Sequence, residues 1–252
     1  AQGGGASGRA AVRGAGPVAR GIATPVGRRD IQRGMEFDGV IFDLDGTLVD
    51  TLEDIADAMD RVLAREGAPG HPYARYRYLI GRGIRNLVVE ALPAELRSAE
   101  RVDRCYARML EDYGAHLLVK THVYEGVPEL LLALRAGGVP LAIHSNKADQ
   151  PTRAIVAALL DPDAFVLVAG ARPDAPLKPD PTVALRIAAR FGLPPARVAY
   201  VGDSSVDMQT ATAAGMIAVG AAWGFRTREE LVENGARAVI DAPADLLALR
   251  GG

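Results

Sequence analysis

Residues 39–51 read Gly39-Val40-Ile41-Phe42-Asp43-Leu44-Asp45-Gly46-Thr47-Leu48-Val49-Asp50-Thr51. The short apolar run at 39–43 has the character of a strand buried on both faces, and it ends in two carboxylates one residue apart. Alternation would keep both carboxylates on one side of a continuing strand. Gly46 instead lets the chain turn and present Asp43 and Asp45 at the strand tip.

Working outward, comparable runs recur at 139–144, 165–169, 197–201, 217–222 and 238–240. Helical periods at 128–135, 149–160, 180–191 and 206–214 separate them. Apolar strands alternating with helices imply a parallel sheet with right-handed crossovers, that is, a doubly wound, Rossmann-like α/β core. The alternation breaks once, where about 95 residues lie between the first two strands. That insertion, 51–119, is mostly helical. Its first helix carries Leu52, Ile55, Met59, Val62 and Leu63 on one face, and Asp50 with Glu53 reads as a capping box at its start. The α/β core is thereby 35–50 and 120–252. The insertion follows the carboxyl end of a strand, where open α/β sheets place their ligands.

The chain has 252 residues, 49% of them hydrophobic, which excludes a disordered or fibrous class. Its single cysteine, Cys105, excludes a disulfide framework and fits a reducing, cytoplasmic setting. The net charge of −2 is a sum of unlike parts: residues 1–34 hold six arginines against Asp30, or +5, which leaves −7 for the remainder. Those 34 residues include nine glycines and no apolar run, so they read as a solvated arm or as translation numbered from too early a start, with Met35 just before the first strand. No stretch of about 18 apolar residues is present to span a membrane. The acidic folded part lacks the basic stripe of a nucleic-acid binder. The chain reads as a monomer or homodimer acting on a small molecule.

Candidate chemistry gathers at the strand ends. Asp203 and Asp207 follow the run ending at Val201 through Gly202. Carboxylates brought together at neighbouring strand tips repel unless a cation sits among them, and hard oxygen ligands with water to spare point to Mg²⁺. The run ending at His144 leads into Ser145-Asn146-Lys147, which offers a hydroxyl and the free backbone N–H groups of the next helix. Lys178 precedes a proline-opened helix. With only three lysines against 26 arginines, two of the lysines, Lys147 and Lys178, fall at these ends, where a compact point charge suits a crowded site. Singly, these are ordinary turn and cap residues. Four such groups at successive strand ends make a site. His71, His116, His122 and His144 have no metal-ligand spacing, and Gly81-Arg82-Gly83 follows no strand, so it is no dinucleotide fingerprint.

The segments 43–51, Ser145-Asn146-Lys147, Lys178-Pro179 and 202–207 resemble, in order, the four motifs of the haloacid dehalogenase superfamily. The insertion resembles that superfamily's first type of cap. Within the group the chain looks most like the bacterial phosphoglycolate phosphatases, through Leu79-Ile80-Gly81-Arg82-Gly83-Ile84-Arg85-Asn86-Leu87-Val88 and Ala222-Trp223-Gly224-Phe225. The resemblance implies that Asp43 is a nucleophile forming an aspartyl-phosphate and Asp45 the general acid and base. It further implies Mg²⁺ on Asp43, Asp203 and the backbone carbonyl of Asp45. Thr47, Ser145, Asn146 and Lys178 would hold phosphate, with Asp207 orienting Lys178 or a metal-bound water. Apart from the resemblance, Gly81-Arg82-Gly83 reads either as a loop placing Arg82 or Arg85 over a substrate carboxylate, which arginine's bidentate fork suits, or as a helix start with exposed arginines, the reading that abundant arginine favours.

The substrate is then a small phosphorylated metabolite, with phosphoglycolate first. A phosphomutase of the β-phosphoglucomutase kind shares the site and stays open as an alternative. Dehalogenases lack an aspartate equivalent to Asp45. A phospho-accepting receiver domain has no cap and is about half as long.

Overall fold

The structure, a computed structural model, describes Ala1, Gly3, Gly4 and residues 35–250. Apart from those three residues, the expected arm at 1–34 lies outside the described residues.

Eighteen elements follow in chain order: β1 (Gly39–Phe42), β2 (Val49–Asp50), α1 (Leu52–Arg65), α2 (Tyr73–Leu79), α3 (Ile84–Ala91), α4 (Ala99–Ala115), β3 (His122–Val123), α5 (Val127–Ala136) and β4 (Leu141–Ala148), then α6 (Asp149–Leu159), β5 (Leu167–Ala171), α7 (Thr182–Phe191), β6 (Val198–Gly202), α8 (Ser205–Ala213), β7 (Ile217–Ala221), α9 (Arg228–Glu233), β8 (Ala238–Ile240) and α10 (Asp245–Arg250). Six strands form one parallel sheet in the order β5-β4-β1-β6-β7-β8. Helices cover both faces, and β1 shows why its sequence is uniformly apolar. Val40 and Phe42 pack with Leu130, Leu134 and Ile155 on one side, while Ile41 packs with Ala184, Ile187 and Met208 on the other.

Register positions the site. Phe42 is level with Ile143 of β4 and Val201 of β6, so Asp43, His144 and Gly202 follow side by side at the carboxyl ends. The order reverses about β1, the crevice where doubly wound sheets take ligands.

Helices α1–α4 form the inserted unit, with a core of Met59, Leu63, Tyr76, Val88, Cys105 and Met109. Phe225 of the α/β part enters that same cluster. The two chain crossings between the parts pair as the antiparallel ribbon β2–β3, Val49 with Val123 and Asp50 with His122. The buried Asp54 carboxylate braces the return crossing by accepting from Lys120 N, Thr121 N and Thr121 Oγ1 at 2.8–3.0 Å.

Three local expectations change. Thr51, not Asp50, is the N-cap of α1, and it makes no side-chain cap bond. The Asp50 carboxylate accepts from Leu52 N at 3.1 Å, and Glu53 turns to Lys120 instead of closing a box. β4 runs through Ser145-Asn146-Lys147 to Ala148, with its pairing to β5 interrupted between His144 and Ala148, so these residues lie in the strand and α6 starts only at Asp149. α7 starts at Thr182, where the Asp180 carboxylate accepts from Thr182 N at 2.8 Å. Among the described residues no helix is long and apolar enough to cross a membrane.

Candidate active site

The tip of β1 places Asp43 against the backbone and side chains of its neighbours. Its N–H donates to Val201 O at 2.9 Å, and its Oδ1 accepts from Leu44 N at 2.7 Å. Gly46 turns the chain at φ +83°, and a Cβ there would overlap the Asp203 carboxylate. Asp203, just past β6, accepts from Phe225 N at 2.7 Å and from Thr47 Oγ1 at 3.4 Å. Asp207, in the first turn of α8, accepts from Ser204 N and Oγ at 3.1 and 2.6 Å. Glycine is required at 202 and 224, where a Cβ would collide with Asp207 and Asp203 respectively.

Lys178 joins these acids. Its Nζ lies 2.7 Å from Asp207 Oδ1, 2.9 Å from Asp43 Oδ1 and 3.1 Å from the His144 carbonyl. Oxygens of Asp43, Asp203 and Asp207, all buried, lie within 4.8 Å of one another. Three buried carboxylates against one ammonium leave two negative charges uncompensated. Burial, followed by the Asp207 carboxylate, pushes the Asp43 carboxyl up to about 7. Burial, Asp207 and Asp43 raise Asp203 well above the usual carboxylate range. Burial opposes the Lys178 charge, but Asp207 and Asp43 outweigh it and keep the ammonium. The chemistry of this donor set, all hard oxygen with a charge deficit of two, fits a divalent cation such as Mg²⁺.

Asp45 belongs to a second group. Its Oδ1 accepts from Lys147 Nζ and from Thr51 Oγ1, both at 2.8 Å, and its Oδ2 from Lys147 at 3.1 Å. The Lys147 ammonium also sits 4.6 Å from the ring centre of Tyr113 on α4. Burial works against the Lys147 charge, and Asp45 and Tyr113 more than offset it. Above these groups lies a cleft between the α/β part and the inserted helices. Its floor is Asp43, Asp45, Ser145, Asn146 and Lys147, and its roof is Ile55, Ile80, Ile84, Leu87 and Tyr113 with Gly81 and Gly83.

The structure therefore brings together Asp43, Asp45, Ser145, Lys178, Asp203 and Asp207. It redirects the other expected residues. Thr47 is buried with its hydroxyl on Asp203 and does not line the cleft. The Asn146 amide is a bracket: Nδ2 donates to Lys178 O and Oδ1 accepts from Lys178 N at 2.8 Å within the α/β part, and Nδ2 also donates to Gly81 O of the inserted part. Arg85 is turned to Asp103 at 2.6 Å and to the Tyr106 ring, and neither Arg82 nor Arg85 lines the cleft. His144 is a buried partner of Tyr200, with Nδ1 3.1 Å from its hydroxyl; burial, with Lys178 nearby, lowers its pKa to about 3 and keeps it neutral.

Sequence reasoning left three contributors unassigned. Lys147 was marked by lysine scarcity and by its place in Ser145-Asn146-Lys147 but given no role, and Tyr113 carried no signal beyond its helical spacing from Met109. Arg226 donates to Ile80 O at 2.8 Å and ties the α/β part to the loop entering the roof. Trp223-Gly224-Phe225 borders the site: Trp223 Nε1 donates to Thr47 O at 3.0 Å, beside the Phe225–Asp203 bond.

Comparison with known proteins agrees with this geometry. The model of the haloacid dehalogenase-like hydrolase family matches residues 37–215. The chain is 36% identical over 213 residues to a phosphoglycolate phosphatase of Rhodospirillum rubrum, covering 82% of this chain and 88% of that protein. It is 35% identical to phosphoglycolate phosphatase 1 of Pseudomonas aeruginosa, covering 82% and 78%. A crystal structure described as a predicted phosphoglycolate phosphatase from Haemophilus somnus superposes with a TM-score of 0.77 at 28% identity, covering 84% of this chain and 96% of that one. With the family's model matching residues 37–215 and a relative 36% identical over 213 residues, the chain belongs to the haloacid dehalogenase-like hydrolase family.

Proposed function

We propose that the protein is a Mg²⁺-dependent phosphomonoesterase that works through an aspartyl-phosphate on Asp43, with 2-phosphoglycolate as its substrate and glycolate and phosphate as products. The observation that carries this reading is the buried cluster of Asp43, Asp203 and Asp207, with Lys178 on Asp43 and Asp207 and with Asp43 also on the floor of the cleft. The relatives named above carry the phosphoglycolate name.

Asp43 and Asp203, with the Asp45 carbonyl, would hold Mg²⁺, which when bound supplies the positive charge that lets an anionic phosphate approach an anionic nucleophile. A carboxylate oxygen of Asp43 attacks phosphorus and the bond from phosphorus to the leaving oxygen breaks. Asp45 gives that oxygen its proton. Water then attacks the phosphorus of the aspartyl-phosphate, Asp45 takes a proton from it, and the bond from phosphorus to Asp43 breaks to free phosphate. The Ser145 hydroxyl and the Lys178 ammonium hold phosphoryl oxygens, so catalysis is chiefly positioning and charge neutralisation. Asp207 keeps Lys178 in place and charged.

The test is phosphate release, with and without Mg²⁺, across 2-phosphoglycolate, hexose phosphates, pyrophosphate and nucleotides. Mg²⁺-dependent release with 2-phosphoglycolate preferred by about tenfold or more, a modest selectivity for a shaped pocket, is expected. Release from none of them would overturn the phosphatase reading. Glucose 6-phosphate formed from glucose 1-phosphate would replace it with a phosphomutase.

A further inference from the structure

The Tyr113 hydroxyl is buried and, among the described residues, has no hydrogen-bond partner. The residue is 1% exposed and lines the cleft from the roof, where its neighbours Ile55, Ile84 and Leu87 offer no polar group. Buried hydroxyls are almost always bonded, and one left unpaired on a cleft-lining residue, beside the Lys147 ammonium, marks a place where a partner arrives. The ring of Tyr113 lies under the ammonium of Lys147, which is 2% exposed at its side chain and is the only cation among the cleft-lining residues. Lys178 is committed to Asp43 and Asp207 on the phosphate side. Arg82 and Arg85, the other cations weighed for a substrate carboxylate, stay outside the cleft.

Resting on the phosphatase reading above, we infer that Tyr113 and Lys147 form the leaving-group subsite and read a carboxylate there, which makes phosphate esters of short hydroxy acids the substrate class. The Tyr113 hydroxyl donates to one carboxylate oxygen and the Lys147 ammonium to the other. Asp45 holds that ammonium in the free protein at 2.8 and 3.1 Å, so an arriving carboxylate shares Lys147 with Asp45. The site therefore senses the substrate's charge next to the group assigned to protonate its leaving oxygen. A phosphate ester lacking the carboxylate leaves the hydroxyl unpaired, and a site built around a buried donor rejects such an analogue.

The experiment compares kcat/KM for 2-phosphoglycolate with that for ethyl phosphate, which has a methyl group in place of the carboxylate. It uses full-length wild type, Tyr113→Phe and Lys147→Met, each loaded with Mg²⁺. The wild type is expected to prefer 2-phosphoglycolate. Tyr113→Phe should reduce that preference about tenfold, mainly through KM, as expected for a lost buried hydrogen bond. It should also melt at or above the wild-type temperature, because the change removes an unpaired buried hydroxyl; a hydroxyl bonded within the fold would lower it. Lys147→Met should reduce the same ratio. A ratio within about twofold of wild type in Tyr113→Phe overturns the subsite. Wild type that hydrolyses neither ester overturns the phosphatase reading instead, and the ratio of calorimetric Kd values for the two esters then decides the subsite by the same criterion.

Discussion

Lys178 Nζ lies 2.7 Å from Asp207 Oδ1, and both side chains are withdrawn from solvent, at 2% and 0% exposure. Breaking a buried pair by removing one partner leaves the other charge uncompensated and costs about 3–5 kcal/mol. Here the loss would strand Asp43 and Asp203 as well. Lys178→Met in metal-free protein should therefore lower the urea midpoint by an amount equivalent to about 3 kcal/mol or more. Mg²⁺ should restore part of the difference. An unchanged midpoint would show that the lysine does not hold this cluster together.

The acid cluster also sets a pH dependence. Burial, then Asp207, raises Asp43 from 3.8 to about 7, and Asp203 is raised by burial and the same neighbours. Carboxyls with raised folded-state pKa values bind more protons folded than unfolded, so their contribution to stability is complete below about pH 4 and is lost as pH rises through about 7. Added Mg²⁺ removes the repulsion that the rise in pH creates. Differential scanning fluorimetry should show Mg²⁺ raising Tm more at about pH 8 than at about pH 5. An equal rise at both would place metal binding away from these acids.

Gly224 is confined by its surroundings, since a Cβ would overlap Asp203 Cβ and the Gly46 carbonyl. Gly224→Ala must move Asp203 or the turn at Gly46. A displacement near 1 Å at a catalytic group costs about a hundredfold in rate. The expected signature is a kcat lowered by about that factor together with a higher Mg²⁺ concentration for half-activation. Wild-type Mg²⁺ activation in this variant would contradict the role given to Asp203.

Arg85 makes the opposite case. Its partner Asp103 is 63% exposed, and such surface pairs contribute about 0–1 kcal/mol. Arg85→Ala should leave kcat/KM for 2-phosphoglycolate within about twofold and Tm nearly unchanged. A tenfold rise in KM would return Arg85 to the substrate.

What could be read in advance follows a physical line. The sheet was legible because strands buried on both faces must be continuously apolar, and Asp43, Asp45 and Asp203 were legible because they terminate such strands. The end of β4 was not, since Ser145-Asn146-Lys147 is polar and skipped in the pairing with β5, which resumes only at Ala148. The destination of Asn146 depends on carbonyls of Gly81 and Lys178 that converge only on folding. Arg85 faces a carboxylate from another helix, which no local pattern reveals. Tyr113 sits four residues after Met109 and reads as one more core position of α4; only the fold shows its hydroxyl unpaired at the cleft. The scarcity of lysine was the one compositional signal that reached both cations of the site.

The central claim is that Asp43 carries the phosphoryl group, and substituting it is the most direct measurement. Asp43→Asn nearly preserves the shape of the side chain and removes its nucleophilic charge. Mg²⁺-dependent phosphate release from 2-phosphoglycolate should fall by about three orders of magnitude or more, with the variant still folded. Release within about tenfold of wild type would contradict covalent catalysis by Asp43 and, with it, the account of this site.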